Sequence, residues 1–144
     1  MILFCDTSAL VKLYVQEDGT DTVTAQAASS EALAVCRIAW VETMSALARR
    51  AREQPADAAG IARARQHFVA DWPLYLTLEV TQELVVLAGE YAEAFALRAY
   101  DSVQLAAAQT LHLEMPGEVA FAWFDSRLVK AAGVLGIRAS VAVA

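Results

Sequence analysis

The sequence predicts an α/β protein, with a central, mainly parallel sheet covered by helices on both faces. Three observations predict it. Short apolar runs alternate with amphipathic helical segments along the whole chain, the pattern of strands joined by helical crossovers. The apolar runs end in polar turns after four to six residues, as buried strands do. At 144 residues and 58% hydrophobic content, the chain suits one domain with one core, spanning residues 1–144.

Each element follows from its residues. Ile2 to Cys5 is a buried strand that stops at Asp6-Thr7-Ser8. Ala9 to Val15 is helical, with Leu10, Leu13 and Tyr14 on one face. Asp18-Gly19-Thr20 ends it and caps a second helix running to about Ser30. Ala32 to Cys36 is the second strand. Arg37 to Glu53 is the clearest helix, with Trp40, Val41, Met44, Leu47, Ala48 and Ala51 as its apolar stripe. Pro55 opens a helix that closes near Trp72-Pro73. Leu74 to Val80 is a strand, and Thr81 caps a helix reaching Ala96. Asp101 to Leu113 is helical, with Leu105, Ala108 and Leu111 inward. Val119 to Phe124 is the fourth strand, Asp125 to Gly133 the last helix, and Ile137 to Val143 a fifth strand. There is no repeat, low-complexity tract or linker.

Composition excludes several classes of function. No apolar run is long enough to span a membrane, and the first residues carry neither a basic region nor a cleavage site, so a cytoplasmic protein is expected. The two cysteines, Cys5 and Cys36, read as buried free thiols, and His67 and His112 are isolated. Zinc is therefore not expected, and a metal here must be held by oxygen, as magnesium or manganese is. The net charge of −6 opposes nucleic-acid binding over the surface at large. Yet Arg37, Arg49, Arg50, Arg52, Arg63 and Arg65 supply six of the eleven basic residues within one stretch. That stretch is either a solvated helical face or a local docking patch, with Arg49, Arg50 and Arg52 as candidate RNA contacts.

The acidic residues carry the chemistry. In open α/β sheets, ligands bind beyond the carboxyl ends of the strands. Phe4-Cys5-Asp6-Thr7-Ser8 and Trp123-Phe124-Asp125-Ser126 both run from strand into an aspartate and a hydroxyl. Taken singly, each aspartate is a helix cap; the matching pair adds the reading of ligands at one edge. Glu42 sits at the margin of the buried stripe of its helix. Asp101 opens an alanine-rich helix, where a carboxylate also suits the dipole. Were the four gathered, each pair about 5 Å apart would repel by roughly 3 kcal/mol at an effective dielectric of about 20. They would take up protons or a divalent cation. Magnesium keeps some of its waters, and a water made more acidic there can attack a phosphodiester in line.

These segments resemble the PIN-domain family, and most closely the VapC-type toxins of toxin–antitoxin pairs. The resemblance is carried by Phe4 to Tyr14, Trp40-Val41-Glu42, Leu97 to Ala106 and Phe124 to Leu128 with Ala131-Ala132-Gly133 after it. It spans nearly the whole chain, in order. It implies a three-layer PIN-like fold, with Asp6, Glu42, Asp101 and Asp125 as metal-binding and catalytic acids. It implies magnesium or manganese as cofactor, RNA as substrate, and hydrolysis to a 5′-phosphate and a 3′-hydroxyl. It implies a homodimer inhibited by a cognate VapB-type antitoxin. Thr7, Ser8 and Ser126 would support the pocket by hydrogen bonds. One departure stands out: relatives often carry Ser or Thr two residues before the last aspartate, where this chain has Trp123. That ring either narrows the pocket or belongs to the core.

Other families with similar openings fit less well. A haloacid-dehalogenase phosphatase needs a second aspartate where Ser8 stands. A receiver domain needs adjacent acids where Thr7 follows Asp6. A dinucleotide-binding domain needs a Gly-x-Gly-x-x-Gly turn, which is missing. Two alternatives remain within the family. One is a PIN-like binding module without catalysis, against which stands the presence of all four acids. The other is a housekeeping RNA-processing nuclease.

Overall fold

The computed structural model describes residues 1–139. Four strands form one sheet: β1 (Ile2–Cys5), β2 (Ala32–Cys36), β3 (Leu76–Leu78) and β4 (Val119–Ala122). Their order is β3-β2-β1-β4, and every neighbouring pair is parallel. Parallel neighbours cannot be joined by tight turns, so each crossover is helical. Helices α1 (Thr7–Lys12) and α2 (Thr20–Ala28) join β1 to β2, and α3 (Ala39–Glu53) and α4 (Ala58–Asp71) join β2 to β3. Helices α5 (Gln82–Phe95) and α6 (Ala99–Glu114) join β3 to β4, and α7 (Ser126–Val134) follows β4.

Both faces of β1 are covered, which is why all four of its residues are apolar and buried. The pleat sends Ile2 and Phe4 to one face and Leu3 and Cys5 to the other. Ile2 and Phe4 join a core with Leu84 of α5, Leu105 and Ala108 of α6, and Leu128 of α7. Leu3 and Cys5 join Leu10 of α1, Val23 of α2, Ala39 of α3 and Phe68 of α4. The expected three layers result, with α1–α4 on one face and α5–α7 on the other. Phe4, fully buried between β2 and β4, contributes roughly 1.5–3 kcal/mol by its burial alone. On the α1–α4 face, Trp40, Phe68 and Trp72 pack with ring centroids 5.3–5.5 Å apart, and the Tyr14 hydroxyl donates to Asp71 at 2.8 Å.

The structure moves several boundaries. Helix α1 begins at Thr7, because Asp6 caps it, and ends at Lys12. The helix expected from Pro55 opens as a 3-10 turn, Pro55–Asp57, before α4. A second 3-10 turn, Trp72–Leu74, shortens β3 to three residues on the edge of the sheet. Pro73 has no N–H to give a ladder there. Helix α6 starts at Ala99, which puts Asp101 inside its first turn. Val41 leaves the apolar stripe of α3 and is exposed, while Thr43 takes a buried place. For the fifth strand, Ala139 bridges Phe121 in parallel, and residues 140–143 lie outside those described. Both cysteines are free and buried, and no helix among the described residues is long and apolar enough to cross a membrane.

Candidate functional site

The parallel register sets Cys5 opposite Ala122, so the chain leaves β1 and β4 at the same edge of the sheet. Asp6 and Asp125 follow there, and each caps the helix that comes next. Asp6 Oδ1 accepts from the N–H of Ala9 at 2.9 Å. Asp125 Oδ1 accepts from the N–H groups of Arg127 at 2.9 Å and Leu128 at 3.1 Å. The capping bonds use one oxygen of each carboxylate. Among the described residues, no hydrogen bond engages the other.

Two helix starts complete the edge. Glu42 lies in the first turn of α3 and Asp101 in the first turn of α6. Glu42, Asp101 and Asp125 line a cleft of about 410 Å³ with Arg98, Ala99 and Tyr100. Asp6 does not line it and is only 5% exposed. Burial, partly offset by the bonds from Ser8 and Ala9 and reinforced by the charges of Glu42 and Asp101, pushes the Asp6 carboxyl up to about 7. Asp101 is also raised, by burial and by Asp125, against the pull of Arg98 and Arg127. The four expected acids therefore form one chain of mutual repulsion, Asp6 against Glu42 and Asp101, and Asp101 against Asp125.

Among the described residues, no three acids, histidines or cysteines close on one point tightly enough to hold a metal ion as they stand. The donor chemistry nonetheless fits an oxygen-bound divalent cation. A carboxyl raised chiefly by burial and further by neighbouring carboxylates, as Asp6 is, gives up its proton to a cation placed beside it.

The hydroxyls divide into two kinds. Thr7 Oγ1 donates to Glu42 Oε1 at 2.9 Å, and Ser8 Oγ donates to Asp6 Oδ1 at 2.6 Å. Ser8 Oγ also accepts from the N–H of Phe124 at 3.3 Å, tying the end of β4 to the end of β1. Ser126, by contrast, is exposed at the start of α7 and makes no side-chain hydrogen bond among the described residues. Trp123 is fully buried against Phe4 and Phe121, with centroids 6.3 and 5.5 Å away, and does not line the cleft. It is core. Ser8, reaching across from the β1 end, makes the hydroxyl link to this part of the chain.

Sequence reasoning missed three residues at this edge. Gln104 is 2% exposed, and its Nε2 donates to Glu42 Oε1 at 2.9 Å and to Thr7 Oγ1 at 3.2 Å. Its signal was its spacing: it stands three residues after Asp101, on the same helical face. Arg98 and Arg127 bring positive charge to Asp101, and their signal was adjacency to the two aspartate motifs. The arginines first considered for RNA lie differently. Arg50 pairs with Glu17 at 2.6 Å, and Glu17 also holds Lys12 at 2.9 Å. Arg37 pairs with Glu79. Arg52 is exposed, and Arg49 is exposed beside the cleft.

Comparison with known proteins bears on the family and the fold. A PIN domain family model matches residues 3–134. Over 141 residues the chain is 33% identical to Ribonuclease VapC45 of Mycobacterium tuberculosis (strain CDC 1551 / Oshkosh), covering 98% of this chain and 96% of that protein. The same identity and coverage hold for Ribonuclease VapC49 of Mycobacterium tuberculosis (strain ATCC 25618 / H37Rv). A chain of a solved toxin–antitoxin complex from Klebsiella pneumoniae superposes with a TM-score of 0.65 at 20% identity, over 95% of each chain. That last likeness is one of fold.

Proposed function

This chain belongs to the PIN-domain family, and on that premise we propose that it is a metal-dependent endoribonuclease, the toxin of a toxin–antitoxin pair. Its active centre is Asp6, Glu42, Asp101 and Asp125. The observation that carries the reading is their gathering at the carboxyl edge of the sheet, where Glu42, Asp101 and Asp125 line one cleft and Asp6, raised to about 7 chiefly by burial, feels the charges of Glu42 and Asp101. A magnesium or manganese ion held by these acids would neutralise them, draw in a phosphate and acidify a water for in-line attack.

The chain's own residues do the rest. Ser8 and the Ala9 N–H hold one oxygen of Asp6. Thr7 and Gln104 hold one oxygen of Glu42, so both carboxylates keep a fixed second oxygen to offer. Arg98 and Arg127 set positive charge beside Asp101, where an incoming phosphodiester needs it, despite the net charge of −6. The reading takes residues 1–144 as one PIN domain and includes a VapB-type antitoxin as partner, in keeping with the names of the two relatives. It also includes a homodimer, for which the exposed Leu74 and Leu76, just before and at the start of β3 on the sheet edge, offer apolar surface.

The test is cleavage of total cellular RNA by purified protein shown to be free of antitoxin, with magnesium or manganese added. Cleavage should fall about 1000-fold or more with EDTA and in Asp6→Asn. Equal cleavage by Asp6→Asn would remove Asp6 from the mechanism.

A further inference from the structure

The acidic cleft does not end at Glu42. A second hollow of about 420 Å³ opens beside it, sharing Glu42 and Tyr100 and running along α3 past Val41, Ser45 and Ala46 to Arg49. Val41, Ser45 and Arg49 follow one another at one-turn spacing, as do Glu42 and Ala46, so two adjacent rows of the helix line it. The lining is unusual for a solvated face: Val41 is 56% exposed and Tyr100 is 59% exposed. Arg49 stands seven residues beyond Glu42, about 10 Å along the helix axis. Its ion pair with Glu53 spans 3.7 Å between side chains 73% and 66% exposed, a contact that holds it weakly.

We propose that this hollow is a nucleotide subsite for single-stranded RNA, a reading that rests on the nuclease assignment. The base of a nucleotide flanking the scissile phosphate stacks on the Tyr100 ring beside Val41, and Arg49 takes a neighbouring phosphate. Stacking on an exposed ring tolerates any base, because every base has a π-face. It also requires that the base be unstacked from its own neighbours, so the subsite selects single strands over duplex. Ser45 and Ala46 leave room on the floor. Tyr100 precedes Asp101 in the chain, so a base held on its ring fixes the adjoining phosphate relative to the acids. Continuity with the acidic cleft and a cation at the far end favour RNA over a protein segment as occupant.

Binding and cleavage together test this. The binding probe is a pool of fluorescein-labelled single-stranded oligoribonucleotides of random sequence, with Asp6→Asn as the uncut reference protein. Adding Tyr100→Ala should weaken binding about tenfold, Tyr100→Phe should restore it, and Arg49→Ala should weaken it and flatten its salt dependence. Duplex RNA should bind less tightly and be insensitive to Tyr100→Ala. Tyr100 is exposed, so the variants should keep the parent's melting temperature, which checks their fold. If Asp6→Asn abolishes cleavage while Tyr100→Ala and Arg49→Ala bind and cleave as the parents do, the subsite is wrong and the nuclease reading stands. If Asp6→Asn still cleaves, the nuclease reading itself fails. No binding of the random pool by Asp6→Asn overturns the subsite. So does a Tyr100→Ala protein with unchanged RNA binding but weakened inhibition by its antitoxin, which makes the hollow a protein-docking face.

Discussion

The chain leaves β1 through Asp6-Thr7-Ser8 and β4 through Asp125-Ser126-Arg127, at the same edge of the sheet and with the same local grammar. Both aspartates cap a helix through Oδ1. Beyond that the two endings part. Asp6 is buried, its carboxyl is raised to about 7, and both hydroxyls beside it are spent on acids. Asp125 is half-buried at the cleft wall, and Ser126 points to solvent without a hydrogen bond among the described residues. Local sequence sets the cap, because a cap needs only a carboxylate before a helix. Depth sets the charge state, because desolvation depends on what the rest of the chain lays over the group.

The largest test of this contrast is stability against pH in the absence of metal. A carboxyl raised from 3.8 to about 7 binds its proton more tightly in the folded protein than in the unfolded one. Folding stability should therefore fall as pH rises from about 4 to about 7, and level off above. The loss amounts to a few kcal/mol. Thermal melts in EDTA should show that slope in the wild type and lose most of it in Asp6→Asn. Manganese at pH 8 should raise the melting temperature of the wild type more than that of Asp6→Asn. Parallel pH profiles for the two proteins would mean that burial does not govern Asp6.

A middle-sized effect is expected at Gln104. Leucine has similar bulk but cannot donate to Glu42 or Thr7, so Gln104→Leu should lower cleavage about tenfold while melting close to the wild type. Manganese titration would place the loss in metal affinity or in turnover. The smallest effect compares the two serines. Ser8→Ala removes a bond to Asp6 and the tie to Phe124, and should cost about 1 kcal/mol of stability as well as activity. Ser126→Ala should stay within about 0.5 kcal/mol and cleave normally. Equal losses at both serines would erase the distinction between the two ends.

Much of the fold was legible along the chain. The apolar runs of β1, β2 and β4 and the capping Thr81 stand where residue pattern puts them, with small shifts at Trp123-Phe124 and at the start of α6. The misplacements occur where tertiary context outweighs pattern. Val41 fits the apolar stripe by period yet faces solvent, because the cleft and not a neighbouring element lies over it. Leu74 and Tyr75 alternate like strand residues, yet a proline-bearing turn and an edge position leave β3 only Leu76–Leu78. In the site, the shared edge of Asp6 and Asp125 was legible from two repeated strand endings, and the placing of Glu42 and Asp101 near them from a family likeness. Gln104, Arg98 and Arg127 left only spacing and adjacency as signals, since nothing local tells a glutamine on a helix which carboxylate it will meet.

The sequence by itself determined the layering, since alternating apolar and amphipathic segments allow only a parallel sheet with helical crossovers. It also determined that Asp6 and Asp125 would share an edge, since parallel neighbours end on the same side. Only the tertiary structure decided that Asp6 is the deepest of the acids, that Glu42 is steered by Thr7 and Gln104, and that Arg50 is taken up by Glu17 while Arg49 stays beside the cleft. The physical reason is range. Periodicity and capping act over a few residues, whereas desolvation, charge repulsion and hydrogen bonds between residues 35 and 62 positions apart exist only once the chain has closed on itself.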